Sequence, residues 1–217
     1  MSKKETIKRY VLFIASLFFI GLGIAFSKQA CLGISPVSSV ANVLSIKFPF
    51  FSLGSWLITT NLLLLLGQIV ILRRDFKMLQ LLQIPLSFLF GYFTDFWLLI
   101  IKYIPNDTYI VKLALLLVGI FFIGFGVALG VIADIIMNSP EAFIKVLAQK
   151  LKKDFSIMKV IFDVCWVGLA VVLSLAFFSG KLEGIREGTV ITAVLVGFVV
   201  KFIRPTLQNC LTKFLTK

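Results

Sequence analysis

The sequence predicts an all-α integral membrane protein with six transmembrane helices, arranged as an inverted repeat of three, each repeat carrying one short Ser-Pro-initiated half-helix. Three observations predict it. Of 217 residues, 59% are hydrophobic and 15% charged, with a mean hydropathy of +1.04, far too apolar for a soluble domain. Six stretches are apolar over roughly the 20 residues that a helix needs to cross about 30 Å of hydrocarbon. An octapeptide in the first of these stretches returns in the fourth, which marks an internal duplication.

The charge-poor stretches are residues 10–26, 48–72, 78–101, 113–133, 164–180 and 189–203. The first follows Lys3, Lys4, Lys8 and Arg9, a pattern shared with signal peptides, but no small-residue cleavage site comes after it, so an uncleaved span is expected. The last is interrupted by Lys201, whose long stem can carry its charge to the interface.

Two segments between the spans, residues 29–47 and 136–154, are apolar but broken by Ser35-Pro36 and Ser139-Pro140. A serine followed by proline is helix-start chemistry: the hydroxyl caps orphan amides, and proline lacks only an N–H that has no partner there anyway. Helices running from these points to about residues 48 and 153 reach only ~18–20 Å at ~1.5 Å per residue, too short to cross. In the second segment Glu141, Lys145, Gln149 and Lys152 form a stripe opposite Phe143, Val146, Leu147 and Leu151, which favours a helix lying on the membrane surface. In the first the polar stripe, Ser38, Asn42 and Ser45, is uncharged and suits a helix buried among others, with the positive end of its dipole at Ser35.

The octapeptide at 18–25 returns at 121–128 with only Leu22 replaced by Phe125 and Ile24 by Val127. Ser35-Pro36 and Ser139-Pro140, Phe51-Ser52 and Phe155-Ser156, and Gly91 and Gly197 then recur in the same order, dividing the chain into halves 1–105 and 106–217. With three crossings in each half the second half is inverted, and most of the 22 Lys and Arg fall on one side together with both termini. Four crossings would put Arg73, Arg74 and Lys77 outside. The expected location is therefore the bacterial cytoplasmic membrane, multi-pass, with both termini cytoplasmic. The net charge of +12 belongs to inner loops, and no nucleic-acid partner is expected.

With no histidine, His-based triads and HExxH zinc sites are excluded, and no enzyme activity, cofactor or metal is expected. Cys31, Cys165 and Cys210 form no CxxC pair and read as small buried apolar residues. The pairs Gly21/Gly23 and Gly124/Gly126 lie inside apolar spans and read as surfaces for close helix packing.

Ionisable groups inside a bilayer are functional candidates by default. Asp163, one turn after Lys159 in the fifth span, ranks first, as a substrate-binding or coupling carboxylate or as a partner of that lysine. Asn61, beside Thr59 and Thr60, occupies the corresponding depth of the first half. The expected substrate site, at the interface of the repeats, comprises Ser35, Ser38, Asn42, Asn61, Ser139 and Asp163; Asp95, Asp134 and Glu141 are candidates for gating or coupling. Gln80 and Gln83 hint at a lined entrance. This predicts a small secondary transporter for a small polar or anionic solute, with homodimerisation left open. The alternative is an accessory protein that holds a membrane enzyme or anionic lipid through its basic helix, residues 139–153.

The order of motifs, LGxSP at 32–36, a Ser-Leu-Gly turn and Trp at 52–56, LLQIPLSFLFGYFTD at 81–95 and GTVITAVLVG at 188–197, resembles the YczE/YyaS/YitT group of bacterial integral membrane proteins. The resemblance covers nearly the whole chain. It implies a cytoplasmic-membrane location and a small multi-span fold, and it supplies no catalytic residues. The second half departs from the pattern, with Met137-Asn138 before Ser139-Pro140 where the first half has the glycine turn.

Overall fold

A computed structural model describes residues 3–216. The chain forms α1 (Lys3–Gln29), a 3-10 turn (Pro36–Ser38) running into α2 (Ser39–Lys47), α3 (Leu53–Leu72), 3-10 turns at Arg73–Asp75 and Met78–Leu82, α4 (Gln83–Ile101), α5 (Tyr109–Ala133), α6 (Ser139–Leu151), α7 (Phe155–Phe177) and α8 (Glu187–Thr216). Six of these helices, α1, α3, α4, α5, α7 and α8, are long and apolar enough to cross a membrane. Helix α7 starts at Phe155, nine residues ahead of its charge-free stretch, because the Asp154 carboxylate accepts from the Ser156 amide at 2.7 Å and caps it there. Lys159 and Asp163 lie inside this span, where Asp163 was expected.

The two copies of the octapeptide pack on each other. A Cβ on Gly23 would lie 2.6 Å from the Gly119 carbonyl oxygen, one on Gly119 2.7 Å from that of Gly23, and one on Gly126 2.7 Å from that of Ser16. Numbers rise along α1 as they fall along α5, so these helices are antiparallel with backbones in contact. Only small residues permit that approach, and without a hydrophobic force between helices in lipid, close packing is a main source of their association. The buried hydroxyls beside the seam stay satisfied within α1: Ser16 Oγ donates to the Phe13 carbonyl at 2.7 Å and Ser27 Oγ to that of Gly23 at 2.9 Å.

The other helices flank this pair. Helix α4 packs on α1, with Gly21 against Thr94, and α8 packs on α5, with Gly124 against Val199. The 3-10 turn and α2 together run along the C-terminal half of α7, from Trp166, whose Nε1 donates to the Val37 carbonyl of the turn at 2.8 Å, to Phe177, whose carbonyl accepts from Lys47 Nζ at 3.0 Å. Helix α6 runs along the C-terminal half of α3, the Phe143 ring over Gly67 and Lys150 Nζ 3.4 Å from the Ile71 carbonyl.

Two expectations are corrected here. Neither Ser-Pro serine caps its helix: the Ser38 amide bonds to the Ser35 carbonyl in the 3-10 turn, which leaves the Ser35 hydroxyl to donate to Ser38 Oγ at 3.0 Å. Asn138 holds the capping position of α6, Ser139 is already helical, and no side-chain cap bond forms. The three cysteines are exposed rather than buried: Cys31 lies on the loop after α1, Cys165 and Cys210 on outward faces of α7 and α8.

Candidate functional site

The starts of the two Ser-Pro segments border one cavity of about 680 Å³. Ser35 and Ser38 reach it from the turn before α2, Ser139 and Glu141 from the first turn of α6, Thr60 and Asn61 from α3, and Lys159 and Asp163 from α7. These four elements supply its polar end. The remaining wall is mostly hydrocarbon, with Leu17 and Ile20 of α1, Phe90 of α4 and Ile123 and Val127 of α5, and is broken by Gln83 and Ser87 of α4 and Thr192 of α8.

Two carboxylates and one ammonium set the electrostatics. Lys159 Nζ donates to both Asp163 oxygens, at 2.7 and 2.8 Å, an i, i+4 pair that leaves this part of the site near neutral. Glu141 has no such arrangement: its Oε2 is shielded from solvent and without a hydrogen-bond partner. Burial raises the Glu141 carboxyl above its usual value, Asp163 adds to the rise, and Lys159 opposes it. An acid whose folded-state value is raised stabilises the fold only while protonated, so this contribution is lost as pH rises above the ordinary glutamate range. Glu141→Gln is therefore expected to unfold at a higher temperature than the wild type at about pH 8 and to converge with it near pH 4, which thermal unfolding in detergent at the two pH values will read.

A second recess of about 670 Å³ lies beyond, lined by Asp75, Lys77, Lys145 and Lys150 among others. It shares Gln83 and Met137 with the cavity. Between them Gln68 and Gln83 form a reciprocal amide pair, each Nε2 donating to the other's Oε1 at 3.1 Å, and Gln68 Nε2 also reaches the Ser139 carbonyl at 3.2 Å. Both side chains are buried, so this partition is held by polar bonds rather than by packing alone.

Of the residues the sequence singles out, Ser35, Ser38, Asn61, Ser139, Glu141 and Asp163 meet at the cavity. Thr60 and Gln83 line it too, and Gln80 lines the second recess, while Asn42, Asp95 and Asp134 stand elsewhere. Asn42 ties the loop before α8 to α1, its Nδ2 donating to the Gly184 carbonyl at 2.7 Å and its Oδ1 accepting from Lys28 Nζ at 2.7 Å. Asp95 joins α4 to the start of α3, accepting from Ser52 Oγ at 2.5 Å and from the Gly54 amide at 2.8 Å. Asp134 is exposed and ends α5 in the left-handed conformation, with φ of 48°. Gln68 was not anticipated; its signal was a lone amide within the leucine-rich run of α3. Among the described residues no group of three or more His, Cys, Asp and Glu side chains is placed to hold a metal ion.

Residues 7–205 match a family of unknown function, DUF6198. The chain is 25% identical over 205 residues, covering 94% of its own length and 88% of the relative, to an uncharacterized membrane protein of Bacillus subtilis (strain 168), YczE. No solved structure matches it.

Proposed function

Since the chain belongs to the DUF6198 family, whose function is unknown, we propose from its geometry that it is a small secondary transporter of the bacterial cytoplasmic membrane. Its site is the cavity where the two Ser-Pro segments meet, and its fold is an inverted repeat with halves 1–105 and 106–217 and both termini cytoplasmic. The reading is non-enzymatic. One observation carries it: polar groups contributed by both halves, Ser35 and Asn61 from the first, Ser139 and Asp163 from the second, converge in one cavity. Broken helices that meet at a repeat interface are how many secondary transporters build a central site.

The inverted repeat is supported by what exchanging the halves does to the packing. The α1–α5 seam maps onto itself with its direction reversed, α4 on α1 maps onto α8 on α5, and α2 on α7 maps onto α6 on α3. Helices α2 and α6 are on this reading half-helices, each entering from one face and starting near mid-membrane. For α6 this displaces the surface helix its amphipathic stripe favours, and the support is that Ile144 and Ala148 are buried against Leu64 and Met158.

Cysteine accessibility tests the arrangement. On a background without Cys31, Cys165 and Cys210, a single cysteine at Ser35 is expected to react with a membrane-impermeant reagent from outside only, and one at Ser139 from inside only, both slowly. Fast labelling of both from the same side would remove the half-helices and the transporter reading with them.

A further inference from the structure

The cavity is not closed on every side, and its open side points to the kind of solute. This inference deepens the transporter reading and rests on it. Helices α3 and α4 meet in a tight seam: a Cβ on Gly91 would lie 2.6 Å from the Gly54 carbonyl oxygen, one on Gly54 would collide with the Gly91 carbonyl, and Asp95 bonds across to Ser52 and Gly54. In the register of the repeat Gly91 corresponds to Gly197, but Met158 stands in place of Gly54 and Lys201 in place of Asp95. A methionine cannot admit a second backbone, and a lysine cannot accept from amides at a helix start. Met158 is instead buried against Leu64 and Ile144.

The consequence is a gap between α7 and α8. These helices do not pack along their length; α8 leans on α5, and α7 on α2 and α6. A Cβ on Gly168 or on Gly197 would meet nothing within 4 Å. Phe155 and Val160 of α7, with Ala193 and Gly197 of α8, border the cavity while remaining exposed. Both helices are spans, so this opening faces the hydrocarbon of the bilayer rather than water.

The interior adds a second, independent constraint. Its walls are mostly apolar, and at the polar end Glu141 forms no ion pair, its Oε2 sealed in the wall without a donor and needing a side-chain rotation to meet a head, while Asp163 is already matched by Lys159. An anionic head would face an unmatched carboxylate; a cationic, hydrogen-donating head would complete it. We propose that the solute is an amphiphile with a hydrocarbon body and a primary ammonium head, which enters from the membrane between α7 and α8 and places its head on Glu141. This narrows the polar or anionic solute expected from sequence to the cationic side.

Binding is measured on the full chain in phosphatidylcholine nanodiscs, against empty discs, with radiolabelled dodecylamine, dodecanoic acid and butylamine. Dodecylamine is expected to bind saturably, and the other two at least about tenfold more weakly, the acid for want of a donor and the short amine for want of burial. Glu141→Gln is expected to lower dodecylamine affinity by about tenfold or more. Gly197→Leu, whose side chain extends into open space, is expected to slow association while leaving thermal stability near that of the wild type. Butylamine binding as tightly as dodecylamine, with Gly197→Leu indifferent, overturns the amphiphile and leaves a transporter of small amines. Equal binding of the acid and the amine overturns the role of Glu141. No saturable binding, together with a disulfide-linked dimer from cysteines placed at Val160 and Gly197, makes the gap an interface between copies and overturns the proposal while the cysteine-accessibility test of the transporter stands.

Discussion

Gly23→Leu is expected to abolish the folded protein, or to lower its unfolding temperature by roughly 10 °C or more. At this position a Cβ would stand 2.6 Å from the Gly119 carbonyl oxygen and 2.6 Å from both Cγ1 and the backbone nitrogen of Ile123. Two of these three atoms are backbone, so no rotamer change relieves the clash. The helices must separate, and the neighbouring contacts of Gly119 and Gly126 loosen with them. Overpacking costs typically 1–3 kcal/mol where side chains can move, and the upper end or beyond applies where they cannot. In a chain of this size each kcal/mol is worth about 2–4 °C. Gly168→Leu, at a glycine with open space around it, is the matched control and is expected to change little. Fluorescence-detected size exclusion after heating will separate the two, and equal behaviour would place the α1–α5 seam wrongly.

Asp163→Asn is expected to lower solute movement in proteoliposomes by about tenfold or more while leaving the protein folded. The asparagine keeps the shape but not the charge, so the Lys159 ammonium, 2.7 Å away, loses its counter-charge at the wall of the cavity. The site then passes from one unmatched carboxylate, that of Glu141, to overall neutrality, and a cationic head loses its electrostatic reason to enter. The loss in uptake follows because the freed Lys159 ammonium opposes a cationic head and competes with it for the Glu141 carboxylate. The pair is only partly buried, which limits the cost to stability. Lys159→Gln combined with Asp163→Asn is the informative companion. It restores the wild-type charge balance, so partial recovery of uptake in the double variant is expected, and full activity in Asp163→Asn alone would exclude the carboxylate from the transport step.

Much of this fold was legible because membrane sequences carry strong, local signals. The six spans follow from length and hydropathy, since any backbone that crosses hydrocarbon must satisfy itself as a helix. The glycines of the octapeptides were legible as packing surfaces, for only residues without bulk can bring helices so close. Other signals misled for physical reasons. Ser35 looked like a helix cap, but a proline behind it lets a 3-10 turn use the backbone carbonyl instead. Cys165 and Cys210 looked buried because their type is usually buried in soluble cores, whereas a helix in lipid can present a small apolar residue outward at little cost, and Cys31 is exposed because it falls on the loop after α1. Asn42 and Asp95 are bonded to nearby side-chain and backbone partners, and Asp134 is exposed at the end of α5, away from the cavity.

The sequence by itself determined the membrane class, the number of spans and the positions of small residues that let helices meet, because each depends on composition within one segment. It also held the recurring octapeptide, since matching strings need no coordinates. Tertiary structure alone decided which polar groups share a cavity, because Glu141 and Lys159 are brought together by the course of α6 across the bundle rather than by spacing along the chain. It alone paired Gln68 with Gln83 across two helices, and it alone showed that α3 and α4 meet in a shut seam while α7 and α8 do not pack along their length. That last difference rests on Met158 and Lys201, residues ordinary in themselves, whose effect exists only where two backbones would otherwise touch.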